Sequence, residues 1–215
     1  MLGRRFTDRT QAGLALAERL ASTFEPKGES IVCALPRGGV PVAVPIAKAL
    51  GAPLDAIVVR KLRAPFQPEF AIGALAALGD RRQEVRYEEA GTSDRVYQAA
   101  IAGETAALSE LDTRYREGRP APDLSEHTVV VVDDGLATGS TMTAAVRLAK
   151  FSGASEVVVA VPVGSTSAVR ALAHEADDVR CLLVRDDFRA VSLYYGEFSP
   201  PSDESVRAAL RAGAR

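Results

Sequence analysis

Two adjacent carboxylates, Asp133 and Asp134, stand between an apolar run and a short loop rich in glycine and hydroxyl side chains. The loop continues as Ala137, Thr138, Gly139, Ser140 and Thr141 and opens a helical pattern. Backbone N–H groups and the helix dipole at such a start favour a phosphate group. A loop for phosphate alone gains nothing from two carboxylates, whereas the hydroxyls of a ribose can donate hydrogen bonds to them. The pattern predicts a ribose-phosphate site and matches neither the P-loop nor G-x-G-x-x-G.

A second loop, Pro36-Arg37-Gly38-Gly39, follows the first apolar run of the chain. Adjacent glycines expose backbone N–H groups, and the guanidinium of Arg37 can pair with phosphate oxygens. The basic residues Arg60 and Lys61, with Arg63 close by, follow the next apolar run. Each feature alone could be a turn with solvated charges. Beside Asp133 and Asp134, here called the acid pair, they indicate a second phosphate-binding region.

These candidate residues need a scaffold, and the alternation of short apolar runs with helical patterns predicts an α/β domain with a parallel sheet. Runs that predict strands are Ser30–Leu35, Leu54–Val59, His127–Val132, Glu156–Val161 and Val179–Val184. Spacings that predict helices cover about Arg9–Ala21, Val40–Leu50, Ser93–Glu117, Ser140–Phe151 and Asp203–Arg211. A hairpin turn is expected at Gly79-Asp80, between Ala71–Leu78 and Gln83–Tyr87. The candidate loops then lie at the C-terminal ends of strands, where open α/β sheets bind ligands.

The segment VVVVDDGLATGST closely resembles the motif with which type I phosphoribosyltransferases bind 5-phosphoribosyl-1-pyrophosphate (PRPP). The segments PRGGVPVA, VVRKLRAP and EFAIGALA extend the resemblance over most of the chain, towards a subgroup of this family. The resemblance assigns Asp133 and Asp134 to the ribose hydroxyls and Ala137 to Thr141 to the 5-phosphate. It assigns Arg37, Gly38, Gly39 and Lys61 to the pyrophosphate.

The fold implied by the resemblance is that of the type I phosphoribosyltransferases, a Rossmann-like parallel sheet flanked by helices. We expect one domain over residues 1–215, with a core at about 28–62 and 125–185. The insertion at about 63–124, the tail at about 186–215, or both, would form a small hood over the site.

The implied reaction displaces pyrophosphate from C1 of PRPP by a nitrogen of a base. Asp133, Asp134, Arg37 and Lys61 are the expected catalytic residues, and they would act by positioning and by stabilising the leaving group. Mg²⁺ is the expected cofactor, bridging pyrophosphate and ribose oxygens. The two aspartates could contact the metal directly or through water.

The acceptor base is harder to predict. Hypoxanthine-guanine enzymes carry an aspartate where this chain has Ala137, which argues against a 6-oxopurine substrate and leaves adenine-like chemistry open. Phe188 is expected to stack on the base, and Asp187 to accept a hydrogen bond from an exocyclic amine. Glu88 and Glu89 could supply a general base, although a solvated acidic helix start is the simpler interpretation.

Two rival functions are weaker. A non-catalytic protein of the same fold that senses PRPP or a nucleotide would not need the basic residues on the pyrophosphate side. An amidotransferase needs a nucleophilic cysteine, whereas Cys33 and Cys181 lie in apolar runs typical of buried thiols. A diphosphokinase needs an ATP-binding motif, and we find none in the sequence. His127 and His174 lie far apart and are interpreted as surface or structural residues.

The bulk composition restricts the partners. The net charge of −2 gives no general case for nucleic acid. The N-terminus is polar, without the apolar stretch of a signal peptide, and no apolar run reaches the length needed to span a bilayer. We therefore expect a cytoplasmic protein with small-molecule substrates and no membrane partner. The resemblance adds a homodimer as a possible assembly.

Overall fold

The computed structural model describes residues 6–64, 67–87 and 90–214, which form six α-helices and eight strands. In chain order they are α1 (Arg9–Thr23), β1 (Ser30–Ala34), α2 (Gly39–Leu50), β2 (Leu54–Ala56), β3 (Val58–Ala64), β4 (Gln67–Leu78), β5 (Arg81–Arg86), α3 (Asp94–Arg116), β6 (Thr128–Val132), α4 (Ser140–Phe151), β7 (Glu156–Ser165), α5 (Thr166–Leu172), β8 (Asp178–Arg185) and α6 (Asp203–Gly213). A short 3-10 helix covers Val191–Tyr194.

Five parallel strands form the central sheet in the order β2-β1-β6-β7-β8. The strands β6 and β7 are rich in valine and buried along almost their whole length, as expected for a parallel sheet covered on both faces. On one face Val130 and Val132 pack with α1 and α2, and on the other Val129 and Val131 pack with α4. This period-two alternation fixes the register of the sheet, and the predicted α/β fold is confirmed.

The middle of the chain forms a second, antiparallel sheet in the order β3-β4-β5. The predicted hairpin is present, because β4 ends at Leu78 and β5 begins at Arg81. The predicted strand Leu54–Val59 is wrong in its extent. The parallel strand β2 ends at Ala56, and Val58 and Val59 pair with Ala77 and Ala76 as the start of β3.

The long helix α3 is anchored to the parallel sheet by a buried cluster of charges at its C-terminal end. Arg116 donates to both carboxylate oxygens of Asp112 at 3.0 Å and to Asp55 at 3.1 Å. It also donates to the carbonyl of Ala56 at 3.2 Å. All three charged residues are buried, so the guanidinium balances two carboxylates away from solvent.

The N-terminal segment of the described chain meets the segment between β8 and α6. The backbone N–H of Phe6 donates to the carbonyl of Tyr194 at 2.8 Å, and Phe6 packs against Tyr195. Phe198 lies on the other side, with its ring centroid 5.1 Å from that of Tyr195. Among the helices described, none is long and apolar enough to cross a membrane.

Candidate active site

The loop Pro36-Arg37-Gly38-Gly39 and the acid pair lie side by side because β1 and β6, which they follow, are neighbours in the parallel sheet. Ala34 and Val132, the last residues of these strands, are register partners, and the N–H of Leu35 donates to the carbonyl of Val132 at 2.9 Å. The next strands lie on opposite sides, β2 beyond β1 and β7 beyond β6. The two loops therefore leave the sheet at its topological switch point, where open α/β sheets form their ligand crevice.

Gly38 and Gly39 allow the loop that contains them to touch the segment of the acid pair. A Cβ on Gly39 would lie 2.6 Å from the carbonyl oxygen of Val132 and 3.0 Å from Cα of Asp133. A Cβ on Gly38 would collide with the carboxylate of Asp134. The peptide bond between Pro36 and Arg37 is cis. Only a residue without a side chain fits at either glycine, so both positions serve the contact between the loops.

The two carboxylates of the acid pair have different surroundings. Oδ1 of Asp133 accepts the N–H of Asp134 at 2.8 Å, while Oδ2 of Asp134 accepts the Nε–H of Arg9, also at 2.8 Å. Burial raises the pKa of Asp133 well above its usual value, and the neighbouring charge of Asp134 raises it further. Burial also raises the pKa of Asp134, although the contact with Arg9 opposes this rise.

The partner of Asp134 was not found from the sequence. Arg9 opens α1, is 8% exposed, and donates to the carbonyl of Ser199 at 3.0 Å. Its guanidinium carbon lies 3.8 Å from the ring centroid of Phe198, a cation–π contact. The hydroxyl of Tyr195 donates to the carbonyl of Asp134 at 2.6 Å. Residues from both ends of the chain therefore hold the second carboxylate.

The predicted phosphate loop, Ala137 to Thr141, begins after Leu136. The N–H of Leu136 donates to the carbonyl of Val163, and its carbonyl accepts the N–H of Ser165, both at 2.9 Å. The hydroxyl of Ser165 also donates to the carbonyl of Ala137 at 2.8 Å. Gly139 precedes α4 with a φ of 77°, a left-handed conformation that favours glycine. The first N–H groups of α4 have no acceptor within the helix, so they are available to an anion in front of the loop.

Two hydroxyl groups add to this loop. The side chains of Thr138 and Ser140 are hydrogen-bonded to each other at 2.9 Å. The hydroxyl of Tyr87, which follows β5, is buried and has no hydrogen-bond partner among the described residues. Burial raises the pKa of Tyr87, and the nearby Ser140 side chain partly opposes the rise. The neighbouring Glu88 and Glu89, candidates for a general base, lie outside the described residues.

The basic residues predicted for the pyrophosphate are separated by the fold. Arg37 lies in the loop after β1 and has an exposed side chain, whose Nη1 is 3.7 Å from Oδ1 of Asp203 in α6. The sequence predicted that Lys61 directly follows a strand of the parallel sheet. Lys61 lies instead within β3 of the antiparallel sheet, opposite Ala74. Because residues directly opposite share a face, and Ala74 packs in the cluster that contains α4, the exposed side chain of Lys61 lies on that same face. Arg60 instead pairs with Glu104 of α3.

A cavity of about 500 Å³ adjoins the phosphate loop on the side of β7 and β8. Its lining combines the phosphate loop, the end of β7 with the start of α5, and the end of β8 with the segment after it: Ala137, Thr138, Ser165, Thr166, Ser167, Arg170, Arg185, Asp186, Phe188 and Arg189. Phe188, predicted to face a base, lies in this wall and stacks on Tyr194 with ring centroids 5.5 Å apart. Asp187 is exposed and pairs with Arg185 at 3.1 Å, and the carboxylate in the lining is that of Asp186.

Comparison with known proteins gives one consistent family. The sequence matches the family described as the phosphoribosyl transferase domain over residues 8–196. Two relatives from Mycobacterium tuberculosis strains CDC 1551 and H37Rv, each named a putative phosphoribosyl transferase, are 44% identical over 210 residues. The match covers 95% of this chain and 46% of theirs, so the chain spans about half the length of these relatives.

Solved structures agree with this match. The protein TT1426 from Thermus thermophilus is 40% identical, with a TM-score of 0.82, and the superposition covers 98% of this chain and 100% of that one. A hypothetical protein from Neisseria gonorrhoeae, solved with bound ppGpp, has 14% identity, a TM-score of 0.51 and coverages of 98% and 96%. The second likeness concerns the fold alone.

Proposed function

Since the chain belongs to the phosphoribosyl transferase family, we propose that it transfers the 5-phosphoribosyl group of PRPP to a nitrogenous base, releases pyrophosphate and uses Mg²⁺. The observation that carries this proposal is the direct contact between the Gly38-Gly39 loop and the acid pair at the switch point of the sheet. It brings an arginine-bearing loop, two carboxylates and a phosphate loop to one crevice. PRPP has three groups in the matching order: a pyrophosphate, two ribose hydroxyls and a 5-phosphate.

The loop from Ala137 to Thr141 would hold the 5-phosphate. Free N–H groups at the start of α4 donate to the phosphate oxygens, and the helix dipole adds to the attraction. The hydroxyls of Thr138 and Ser140 already face each other and can turn to donate as well.

The acid pair would hold the ribose and supply the protein's oxygen atoms to Mg²⁺. The residues fit such a cation, because two adjacent, partly buried carboxylates offer hard oxygen ligands and, among the described residues, the ion pair with Arg9 engages Asp134 and leaves Asp133 without one. Mg²⁺ bound through one or two carboxylates takes its remaining ligands from phosphates and water, and it would neutralise charge on the pyrophosphate. Hydrogen bonds from the ribose hydroxyls would orient C1 between the two loops.

In the reaction, the bond between C1 and the pyrophosphate oxygen breaks, and its electron pair leaves with the pyrophosphate. A lone pair of the base nitrogen forms the new bond to C1. A base whose attacking nitrogen carries a hydrogen then releases a proton, whereas a pyridine nitrogen becomes a cation. Arg37 and the N–H group of Gly38 would stabilise the charge that develops on the pyrophosphate, whereas the N–H of Gly39 donates to the carbonyl of Leu35 at 3.0 Å. Arg37 can reach it by giving up its contact with Asp203, which is long and exposed and therefore weak. A role for Lys61 stays a prediction.

The test is calorimetric titration of PRPP with Mg²⁺ on the wild type and on Asp133→Asn and Asp134→Asn, followed by pyrophosphate release with a panel of bases. Asparagine keeps an oxygen acceptor for the neighbouring donors, and Asp80→Asn in the exposed hairpin turn is the matched control. We expect PRPP affinity to fall at least about 10-fold in both site variants but not in the control. Circular dichroism would verify their folding. Absence of PRPP binding by the wild type would refute the proposal, and binding without release for any base would favour a regulatory protein.

A further inference from the structure

The cavity beside the phosphate loop has more positive than negative side chains in its wall. Its lining contains three arginines and one aspartate: Arg170, Arg185, Arg189 and Asp186. Most of its other polar groups already have partners within the protein. The question is which of these side chains are left for a ligand.

The hydroxyls and the carboxylate are engaged. Ser165 donates to the carbonyl of Ala137 at 2.8 Å and accepts the N–H of Ala168 at 3.1 Å. Ser167 lies 3.2 Å from Ser165, and Thr166 donates to Asp186 at 2.7 Å. These bonds fix the junction of β7 and α5 against the phosphate loop and the segment after β8.

Two of the arginines are not engaged in this way. Arg185 pairs with Asp187 at 3.1 Å, outside the lining. In the described parts of the chain, Arg170 and Arg189 form no ion pair with a carboxylate, although the charge of Arg189 contributes to lowering the pKa of Asp187. The cavity wall therefore carries two exposed guanidinium groups that no ion pair holds within the described residues, and each can bind an anion in a bidentate manner.

The wall also has an aromatic surface. Phe188 lines the cavity, and its ring is held in place by Tyr194, which stacks on it at an interplanar angle of 18°. A planar heterocycle is a suitable partner for such a surface. Asp187 does not line the cavity, so the structure gives no support to the hydrogen bond from an exocyclic amine that the sequence suggested.

We propose that the acceptor of this enzyme is a planar base that carries a carboxylate, held by Arg170 and Arg189 and stacked on Phe188. This inference rests on the proposed function, since it names the acceptor of the same reaction. Because Ala137 and Thr138 belong both to the phosphate loop and to this cavity, the same two arginines could instead serve a phosphate. The experiment has to separate a carboxylate on the acceptor from a phosphate on PRPP.

Two matched pairs of bases separate these sources: orotate against uracil, and nicotinate against nicotinamide. Within each pair the ring is the same, and only the first member carries a carboxylate. Pyrophosphate release would be measured for each with saturating PRPP and Mg²⁺, on the wild type, Arg170→Gln and Arg189→Gln. Arg95→Gln, an exposed arginine on α3, removes the same charge far from this wall and is the control.

For the wild type we expect release with at least one carboxylate base, about 10-fold or more above its neutral partner. Each site variant should raise KM for that base about 10-fold, with PRPP affinity within about twofold of the wild type and the control unchanged. The inference would be overturned by equal release with the neutral base of a pair, or by an unchanged KM in both variants. It would also be overturned if the wild type bound PRPP but released no pyrophosphate with any of the four bases. Loss of PRPP affinity in the variants would overturn it too, since that result would assign the arginines to a phosphate. Only a failure of the wild type to bind PRPP would refute the proposed function itself.

Discussion

Replacement of Gly39 by alanine tests whether the close approach of the two loops matters for binding. The added Cβ would lie 2.6 Å from the carbonyl oxygen of Val132 and 3.0 Å from Cα of Asp133. Both are backbone atoms of the strand end next to it, so no change of rotamer can relieve the contact. The loops would have to separate by roughly 0.5–1 Å, the difference from an ordinary contact between such atoms.

Overpacking of this kind costs about 1–3 kcal/mol of folding stability. The separation also moves Arg37 away from the acid pair, so the groups proposed to bind one PRPP molecule would no longer fit it together. We expect PRPP affinity to fall by about 10-fold or more, which corresponds to about 1.4 kcal/mol of binding free energy. Urea unfolding followed by circular dichroism measures the first effect, and titration calorimetry of PRPP with Mg²⁺ measures the second.

Gly103→Ala is the matched control, because Gly103 lies inside α3 and an added Cβ would meet nothing within 4 Å. Alanine is a better helix former, so this variant should gain about 0.5–1 kcal/mol of stability and keep its PRPP affinity. If Gly39→Ala bound PRPP as tightly as the wild type and unfolded at the same urea concentration, the reasoning from the close contact of the loops would be wrong.

Three further predictions concern stability and reactivity. Arg116→Met should cost about 3–5 kcal/mol in urea unfolding, because it leaves two buried carboxylates without a cation, and a loss below about 1 kcal/mol would contradict this account. Burial raises the pKa of Cys33, and it raises that of Cys181 to about 11, so both thiols should react with Ellman's reagent at pH 8 about 100-fold more slowly in the native than in the unfolded protein. Arg147 lowers the pKa of Glu175, so their contact stabilises the fold above the unfolded pKa of that carboxyl and loses this effect as pH falls through the lowered value. Arg147→Gln should therefore cost about 0.5 kcal/mol at pH 7 and less near pH 3, and an equal cost at both values would exclude the ion pair as its cause.

The sequence predicted the positions of the two loops well, because glycines and charged residues at the ends of β-branched runs are local features. It failed at Lys61 for an equally local reason. Val58 and Val59 continue the apolar run that begins at Leu54, so nothing in the pattern shows that the chain changes sheets at Ile57. Whether Asp186 or Asp187 faces the cavity depends on the direction of side chains after β8 ends, which residue types alone do not encode.

Arg9 could not have been predicted, since 125 residues separate it from Asp134 and its role exists only in the folded chain. Its position explains how two adjacent carboxylates can lie together at a partly buried site. Arg9 neutralises Asp134, and Tyr195 fixes the backbone of the same residue, so this carboxylate is oriented by α1 and by the segment after β8. Among the described residues Asp133 forms no ion pair, and its pKa is raised by burial and by the charge of its neighbour, while the charge of Arg9 partly opposes the rise. The raised pKa means that the ionised form of Asp133 is disfavoured by the protein alone. The proposed Mg²⁺ and the donating ribose hydroxyls would stabilise that ionised form, next to the loop that contains Arg37.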